Sequence, residues 1–184
     1  MPYTNLAATD RISDTRAVLN GVSTRTDTLD FVRHCDSAAG TAPVLVEDGL
    51  ALIEEFALSD RVYCLWRIPP EIDRTVNATL TLDLCTRGAE ASKNCSFDLA
   101  ILSMNSSGNT AIGAATGTVQ IVNSALPTSN DVIWKATVSV PVATYFTSAT
   151  IEALSIRITR VAAAADPTAA VGVMGVAITF GVVR

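Results

Sequence analysis

The chain has a single histidine, His34, among its 184 residues. Histidine is the usual general base of enzymes and the commonest ligand of transition metals, so a histidine-rich metal site is excluded. Cys35 is a poor nucleophile for this base, because neighbouring side chains of an extended chain point in opposite directions. We therefore expect no catalytic residue, no metal site and no cofactor, and a calcium site of Asp side chains and loop carbonyls stays open.

Cysteine and aromatic residues are also few. Aromatic residues are 5% of the chain whereas apolar residues are 49%, which predicts a core of Val, Ile, Leu and Ala. Cys35, Cys64, Cys85 and Cys95 are too widely spaced for a Cys-x-x-Cys motif. Cys64 and Cys95 alternate with apolar residues and are predicted to lie in the core. Cys85 and Cys95 flank residues 86–94, so a disulfide across a hairpin stays open, although no export signal favours it.

Clusters of positive charge and long apolar runs are missing as well. The 13 basic and 18 acidic residues give a net charge of -5, and Lys and Arg are scattered singly, which argues against binding to nucleic acid. The weakly polar run 171–183 contains three glycines and is shorter than the roughly 20 residues that span a bilayer. Residues 1–5 lack the features of a signal peptide. We expect no membrane contact and a chain that stays in the compartment where it is made.

What the chain does have is strict alternation of apolar and polar residues, cleanest in 79–84, 134–140 and 154–159. Such alternation is typical of strands with one buried face, and helices long enough for parallel crossovers are missing. We predict an all-β fold, an antiparallel two-sheet sandwich of the jelly-roll type. Residues 50–58 fit either a strand or a short helix. The other candidate strands are 60–68, 76–85, 95–104, 118–122, 132–142, 151–161 and 171–183.

Residues 1–48 have a different composition, rich in Thr, Ser, Asp and Arg and without a sustained apolar period. We predict an N-terminal arm or extension over 1–48 and a sandwich domain over 49–184. Residues 11–22 have some helical character, and a disordered tail is the alternative to an ordered arm. Arginines interspersed with acidic residues suit polar interface contacts. The candidate interface arginines are Arg11, Arg16, Arg25 and Arg33.

Carboxylates and glycines give no clear signal of chemistry. Glu54 and Glu55 point to opposite faces if they lie on a strand, whereas glycoside hydrolysis needs two carboxyl groups that face each other across a cleft. Glu71 and Asp73 lie in a turn after two prolines. The acidic stretches 27–30 and 130–131 fit caps and turns better than a cation site. The glycine pairs at 113 and 117 and at 172 and 175 fit close packing or bulges, not a phosphate loop.

Carbohydrate binding is the strongest alternative function for a sandwich of this kind. Sugar sites usually need an exposed aromatic platform. Trp66 and Trp134 fall on the apolar parity of their strands and are predicted to be buried. Tyr63 and Tyr145 are left as the candidate platforms.

Several segments resemble bacteriophage virion β-sandwich proteins. They are the strand end and corner 66–73 (Trp-Arg-Ile-Pro-Pro-Glu-Ile-Asp), the alternating 78–84, the late strand 156–160 and the Ala-rich Asp-Pro loop 162–168 before the strand 176–180. The resemblance covers about residues 51–184. It implies a capsid decoration or cement protein, a jelly roll that often trimerises and sits between capsomers, with the major capsid protein as its partner. It also implies assembly in the host cytoplasm and a location at the capsid surface.

Three hypotheses follow. The first is a non-enzymatic virion structural protein, a homotrimer that stabilises a phage head through protein contacts. The second is a tail or fibre module that binds carbohydrate of the host surface. The third is a small hydrolase built around His34.

Overall fold

The computed structural model describes residues 23–32, 41–88, 92–106 and 114–183. These residues form strands joined by turns, with one short helix, α1 (Val142–Tyr145). The strands are β1 (Thr24–Leu29), β2 (Phe31–Val32), β3 (Val44–Asp48), β4 (Ala51–Phe56), β5 (Arg61–Arg67), β6 (Ala78–Thr86), β7 (Asn94–Asn105), β8 (Gly117–Ala125), β9 (Ile133–Val140), β10 (Ile151–Val161) and β11 (Val171–Gly181).

The strands form two antiparallel sheets. Sheet A has the order β3-β4-β11-β6-β9, and β1 pairs with β11 beyond the end of β4. Sheet B has the order β2-β5-β10-β7-β8. The two sheets pack face to face, so the predicted all-β sandwich is confirmed. The ambiguous residues 50–58 form a strand, β4, rather than a helix.

The core lies between the sheets and follows the predicted alternation. Phe56 of sheet A meets Phe97 of sheet B edge to face, with the ring centroids 5.9 Å apart. Burial of apolar side chains here is the main favourable contribution to folding, about 25 cal/mol per Å² removed from water. The central strands β6 and β10 contribute the fully buried Leu80, Leu82, Leu84, Leu154, Ile156 and Ile158.

The sandwich begins well before residue 49. β1 pairs with β11, β2 with β5 and β3 with β4, so 24–32 and 44–48 belong to the sheets and not to an arm. Composition concealed these strands because they lie at sheet edges, where both faces of a strand can be exposed and no apolar alternation is needed. Residues 1–22, including the helical stretch 11–22, lie outside the described residues.

The cysteines correct the hairpin interpretation. Cys85 lies in β6 of sheet A and Cys95 in β7 of sheet B, because the connection between them crosses from one sheet to the other. Both are buried free thiols, as is Cys64. Burial raises the pKa of Cys64 and of Cys95 to about 12. The prediction that Cys64 and Cys95 are core residues is confirmed.

Glycines of β11 serve packing and a bulge, as the sequence indicated. A Cβ atom on Gly172 would lie 2.5 Å from Ile53 Cγ2 and 3.1 Å from the Cys85 carbonyl oxygen. Gly175 lies where the register with β6 shifts. Gly172 therefore allows three strands of sheet A to approach closely at one point.

The Asp-Pro loop after β10 is fastened by a buried arginine. Arg160 is 2% exposed and donates to the Phe56 carbonyl oxygen at 2.6 Å and to Asp166 Oδ2 at 3.0 Å. It also donates to the carbonyl oxygens of Pro167 and Ala169. One guanidinium thus ties β4 and the loop 162–170 to the end of β10.

Candidate functional site

The carboxylates that the sequence singled out have structural partners. Glu55 accepts a hydrogen bond from Arg87 Nε at 2.5 Å, and Glu54 lies on the opposite face of β4. Glu71 pairs with Arg25 at 2.6 Å. Asp73 accepts from the side chain and backbone of Thr75, which lowers the pKa of its carboxyl. These groups do not form a facing carboxylate pair. His34 and Cys35 lie outside the described residues.

The acidic stretches likewise have structural roles. Asp27 accepts from Arg25 Nε at 2.9 Å and from the Trp66 indole nitrogen at 3.0 Å. Asp131 pairs with Arg87 at 2.9 Å. Within 23–32, 41–88, 92–106 and 114–183, no three His, Cys, Asp or Glu side chains are grouped as metal ligands would be.

Of the four candidate interface arginines, only Arg25 lies among the described residues. It sits in β1, pairs with Asp27 and Glu71, and lies 5.9 Å from the centroid of the Phe180 ring. Arg25 is therefore built into the edge of the sandwich, and its assignment to an extended arm was wrong. Arg11, Arg16 and Arg33 lie outside the described residues.

Of the tryptophan and tyrosine side chains that the structure describes, two are buried in the core and two are half-buried. Trp66 is buried as predicted, and Trp134 is half-buried against the core. Tyr145 is also buried, because α1 directs it into the core, where its ring lies against Gly117. The prediction of Tyr145 as an exposed platform is therefore wrong. Burial also raises the pKa of its hydroxyl. Tyr63 is half-buried on the outer face of sheet B.

Tyr63 lines a depression on the outer face of sheet B. The depression has a volume of about 260 Å³. Antiparallel register places Arg157 of β10 directly beside Tyr63 of β5 on one side and Ala100 of β7 on the other. Ser155 and Leu102 continue the floor, and residues 114 and 115 form a wall. The site combines an aromatic ring, a guanidinium, a hydroxyl and apolar surface, which suits a small polar ligand.

The outer face of sheet B carries charges of both signs. Among its described residues, Arg61, Arg67 and Arg157 have outward side chains, and the carboxylates are Asp98 and Glu152, which is exposed at the bulge of β10 and lines a depression with Arg67. Asp98 accepts a hydrogen bond from Gln120 Nε2 at 2.7 Å. Arg157 has no carboxylate directly beside it in register, because its cross-strand neighbours are Tyr63 and Ala100.

A second surface of interest is the hairpin of β3 and β4, at the free edge of sheet A. Leu45 and Leu52 have the parity of Phe56, which points into the core, yet they are 43% and 62% exposed. Val44 is 64% exposed and Leu50, at the turn, is fully exposed. We call Val44, Leu45, Leu50 and Leu52 the hairpin patch. Apolar side chains on the side of the hairpin that has core-facing parity are therefore exposed to solvent.

The hairpin is held in place by Arg87. Its guanidinium bonds to Glu55 of β4, to Asp48 at the end of β3 and to Asp131 beside β9. The hydrogen bonds join both hairpin strands to the opposite edge of sheet A. Charge-assisted hydrogen bonds of this kind are stronger than neutral ones, so the hairpin patch is presented on a fixed element.

Sequence reasoning missed both surfaces for different reasons. Tyr63 was a candidate from its type alone, but its neighbour Arg157 could be identified only once the order β5-β10-β7 was known. The hairpin patch was divided by the boundary predicted at residue 49. Gly49 has a φ of +59°, which is typical of a hairpin turn. A glycine between two apolar stretches is the signal from which this hairpin could have been predicted.

Comparisons with known proteins give likeness of fold. No protein-family model and no curated protein matches the chain. The solved xylan-binding module CBM15 is 10% identical, with a TM-score of 0.49 over 90% of this chain and 95% of that one. The CBM36-1 domain of a multidomain xylanase from the hindgut metagenome of Trinervitermes trinervoides is 12% identical, with a TM-score of 0.46 over 88% of this chain and 100% of that one.

A viral structure is also similar. The protein of infectious bursal virus-derived T=1 particles is 11% identical, with a TM-score of 0.41 over 86% of this chain and 31% of that one. Because all three TM-scores are below 0.5, these likenesses carry no argument about function. Separately, no helix in the described part of the chain is long and apolar enough to cross a membrane.

Proposed function

We propose that this protein is a non-enzymatic virion structural protein, a decoration or cement protein that binds the major capsid protein at the capsid surface. The observation that carries the proposal is the hairpin patch. Exposed apolar side chains on a free sheet edge favour association with another protein, because burial removes apolar surface from water and the edge backbone can pair with a further strand.

The architecture suits this role. The sandwich is rigid, and Arg87 fixes the hairpin to sheet A, so little conformational entropy is lost when the patch binds. The resemblance of 66–73, 78–84, 156–160, 162–168 and 176–180 to phage virion sandwiches supports the same role. A homotrimer located at the capsid surface, assembled in the host cytoplasm, is part of the proposal.

The proposal is tested with capsids that lack this protein. We expect wild-type protein to cosediment with them, and a Leu45→Lys, Leu52→Lys double variant to lose binding at least tenfold while its melting temperature stays near the wild-type value. Val122→Lys is the matched control, since Val122 is 64% exposed on β8 of the other sheet. Equal binding of all three proteins would contradict a docking role for the hairpin patch. Light scattering of the wild-type protein measures whether it is a trimer.

A second candidate function is carbohydrate binding by a tail or fibre module. The observation that favours it is the depression on sheet B, where the Tyr63 ring lies beside Ser155 and Arg157. Aromatic rings pack against the apolar faces of sugars while nearby polar groups bond to their hydroxyls. Loss of glycan-array binding in Tyr63→Ala with the fold intact would support this function, and unchanged binding would count against it.

A further inference from the structure

Arg157 occupies the middle of sheet B, on its central strand β10, and its side chain is exposed. No hydrogen bond or ion pair joins its guanidinium to another described residue, whereas Arg25, Arg74, Arg87 and Arg160 each bond to side chains or backbone oxygens. An arginine held on a rigid strand with its donors free is poised to bind an anion from solution.

The neighbours of Arg157 indicate what kind of molecule carries the anionic group. Tyr63 lies beside Arg157 in register, and Ser155 precedes Arg157 by two residues on the same face of β10. Ala100 and Leu102 give the depression an apolar floor. A ring with one apolar face and several hydroxyls matches this lining better than an extended acidic peptide, because the depression is short and holds one aromatic platform.

Charge favours an anionic ligand over a neutral one. Arg157 is the charged residue of the depression, whereas Glu152 lines a different depression with Arg67. Asp98 of β7 accepts a hydrogen bond from Gln120. An incoming anion therefore meets the guanidinium of Arg157, which has no bond to another described residue.

The geometry points to a binding site for an acidic sugar on the outer face of sheet B. The ligand is a saccharide that carries a carboxylate. Arg157 binds the carboxylate in bidentate fashion, Tyr63 packs against the sugar ring, and Ser155 bonds to a ring hydroxyl. This inference rests on the second candidate function and assigns its ligand class.

The test compares charged and neutral forms of one glycan by titration calorimetry. Tetragalacturonic acid and its fully methyl-esterified form share one sugar backbone, and each ester replaces a carboxylate charge with a methyl group. Sialyllactose, which is lactose with an added acidic sugar, is compared with lactose to ask whether a terminal acid is the better source of the carboxylate. We expect the acidic member of a pair to bind at least tenfold more tightly than its neutral partner. The difference should shrink as salt is raised, because the site is exposed to solvent.

Three variants separate the parts of the proposal. Arg157→Met should lose at least tenfold in affinity for the acidic sugar and bind like wild type to the neutral one. Tyr63→Ala should weaken both. Lys135→Met is the control, since Lys135 is 70% exposed on sheet A and pairs with Asp83 there.

The outcomes are distinguishable. Tight binding of neutral glycan that Tyr63→Ala abolishes and Arg157→Met leaves unchanged would overturn the acidic ligand and keep carbohydrate binding. Absence of binding to all four glycans would overturn both. Equal loss of binding in Lys135→Met and Arg157→Met would show a general charge effect and contradict a site at Arg157.

Discussion

Arg160 is a buried charged residue at the end of the sandwich. Its guanidinium donates hydrogen bonds to the carbonyl oxygens of Phe56, Pro167 and Ala169 and to the carboxylate of Asp166. Removing one partner of a buried ion pair leaves an uncompensated charge, which usually costs about 3–5 kcal/mol. The residue therefore fixes the conformation of the 162–170 loop.

We expect Arg160→Met to lower the free energy of unfolding by about 3–5 kcal/mol, measured by urea denaturation. Arg157→Met, on the same strand but exposed, should change it by less than about 0.5 kcal/mol. Equal effects of the two substitutions would show that the Arg160 bonds do not stabilise the fold.

The thiols give a second prediction at this scale. Burial raises the pKa of Cys64 and of Cys95 to about 12, and Cys85 is shifted in the same direction by burial. Only a thiolate reacts readily, so native Cys35→Ser protein should show almost no reaction with a thiol reagent at pH 8. In denaturant without reductant, three thiols should react. Fewer than three would mean that a disulfide is present.

The β3–β4 hairpin is the element on which the proposed function depends. Arg87 links it through Asp48 and Glu55 to Asp131 at the other edge of sheet A. Without this link the hairpin retains its pairing to β11 over only three residue pairs, Val171–Val173 with 54–56. Its local stability should therefore be more sensitive than that of the rest of the sheet.

Arg87→Gln should speed amide hydrogen exchange in β3 and β4 and leave exchange in β10 unchanged. Lys135→Gln is the control, because it removes an exposed pair with Asp83 that spans β9 and β6 only. Unchanged exchange in β3 would show that Arg87 does not hold the hairpin.

At this scale the sequence predicted the strands from β4 to β11, including the edge strands β8 and β9, and missed β1, β2 and β3. From β4 to β11, alternation marks each strand because one face meets the core, as with Leu80, Leu82 and Leu84 of β6. In β1, Thr24, Arg25 and Thr26 are all exposed, so no periodic apolar face exists. The loop 86–94 looked like a hairpin because sequence does not report which sheet a strand joins. For the same reason, the sequence does not show that Arg157 lies beside Tyr63.

In the sandwich that the described residues form, β2 and β3 each make one edge of a sheet, and β1 pairs with β11. Deleting residues 1–22 removes no described strand, so the protein shortened in this way is the reference for a larger deletion. Deleting residues 1–48 removes β1, β2 and β3 and takes Asp27 from the indole of Trp66. We expect that protein to lose cooperative unfolding or to melt at least 10 °C lower by calorimetry. Equal melting temperatures would show that 23–48 is an independent arm after all.

The central claim is that this molecule binds other proteins as part of a virus particle. Its most direct test is quantitative mass spectrometry, after density-gradient separation, of the virus particles in which the proposal places this chain. The account predicts this chain in a fixed ratio to the major capsid protein, and loss of it from particles when the gene carries Leu45→Lys and Leu52→Lys. Particles that never contain the chain, or contain the double variant in the same ratio as wild type, would contradict the account.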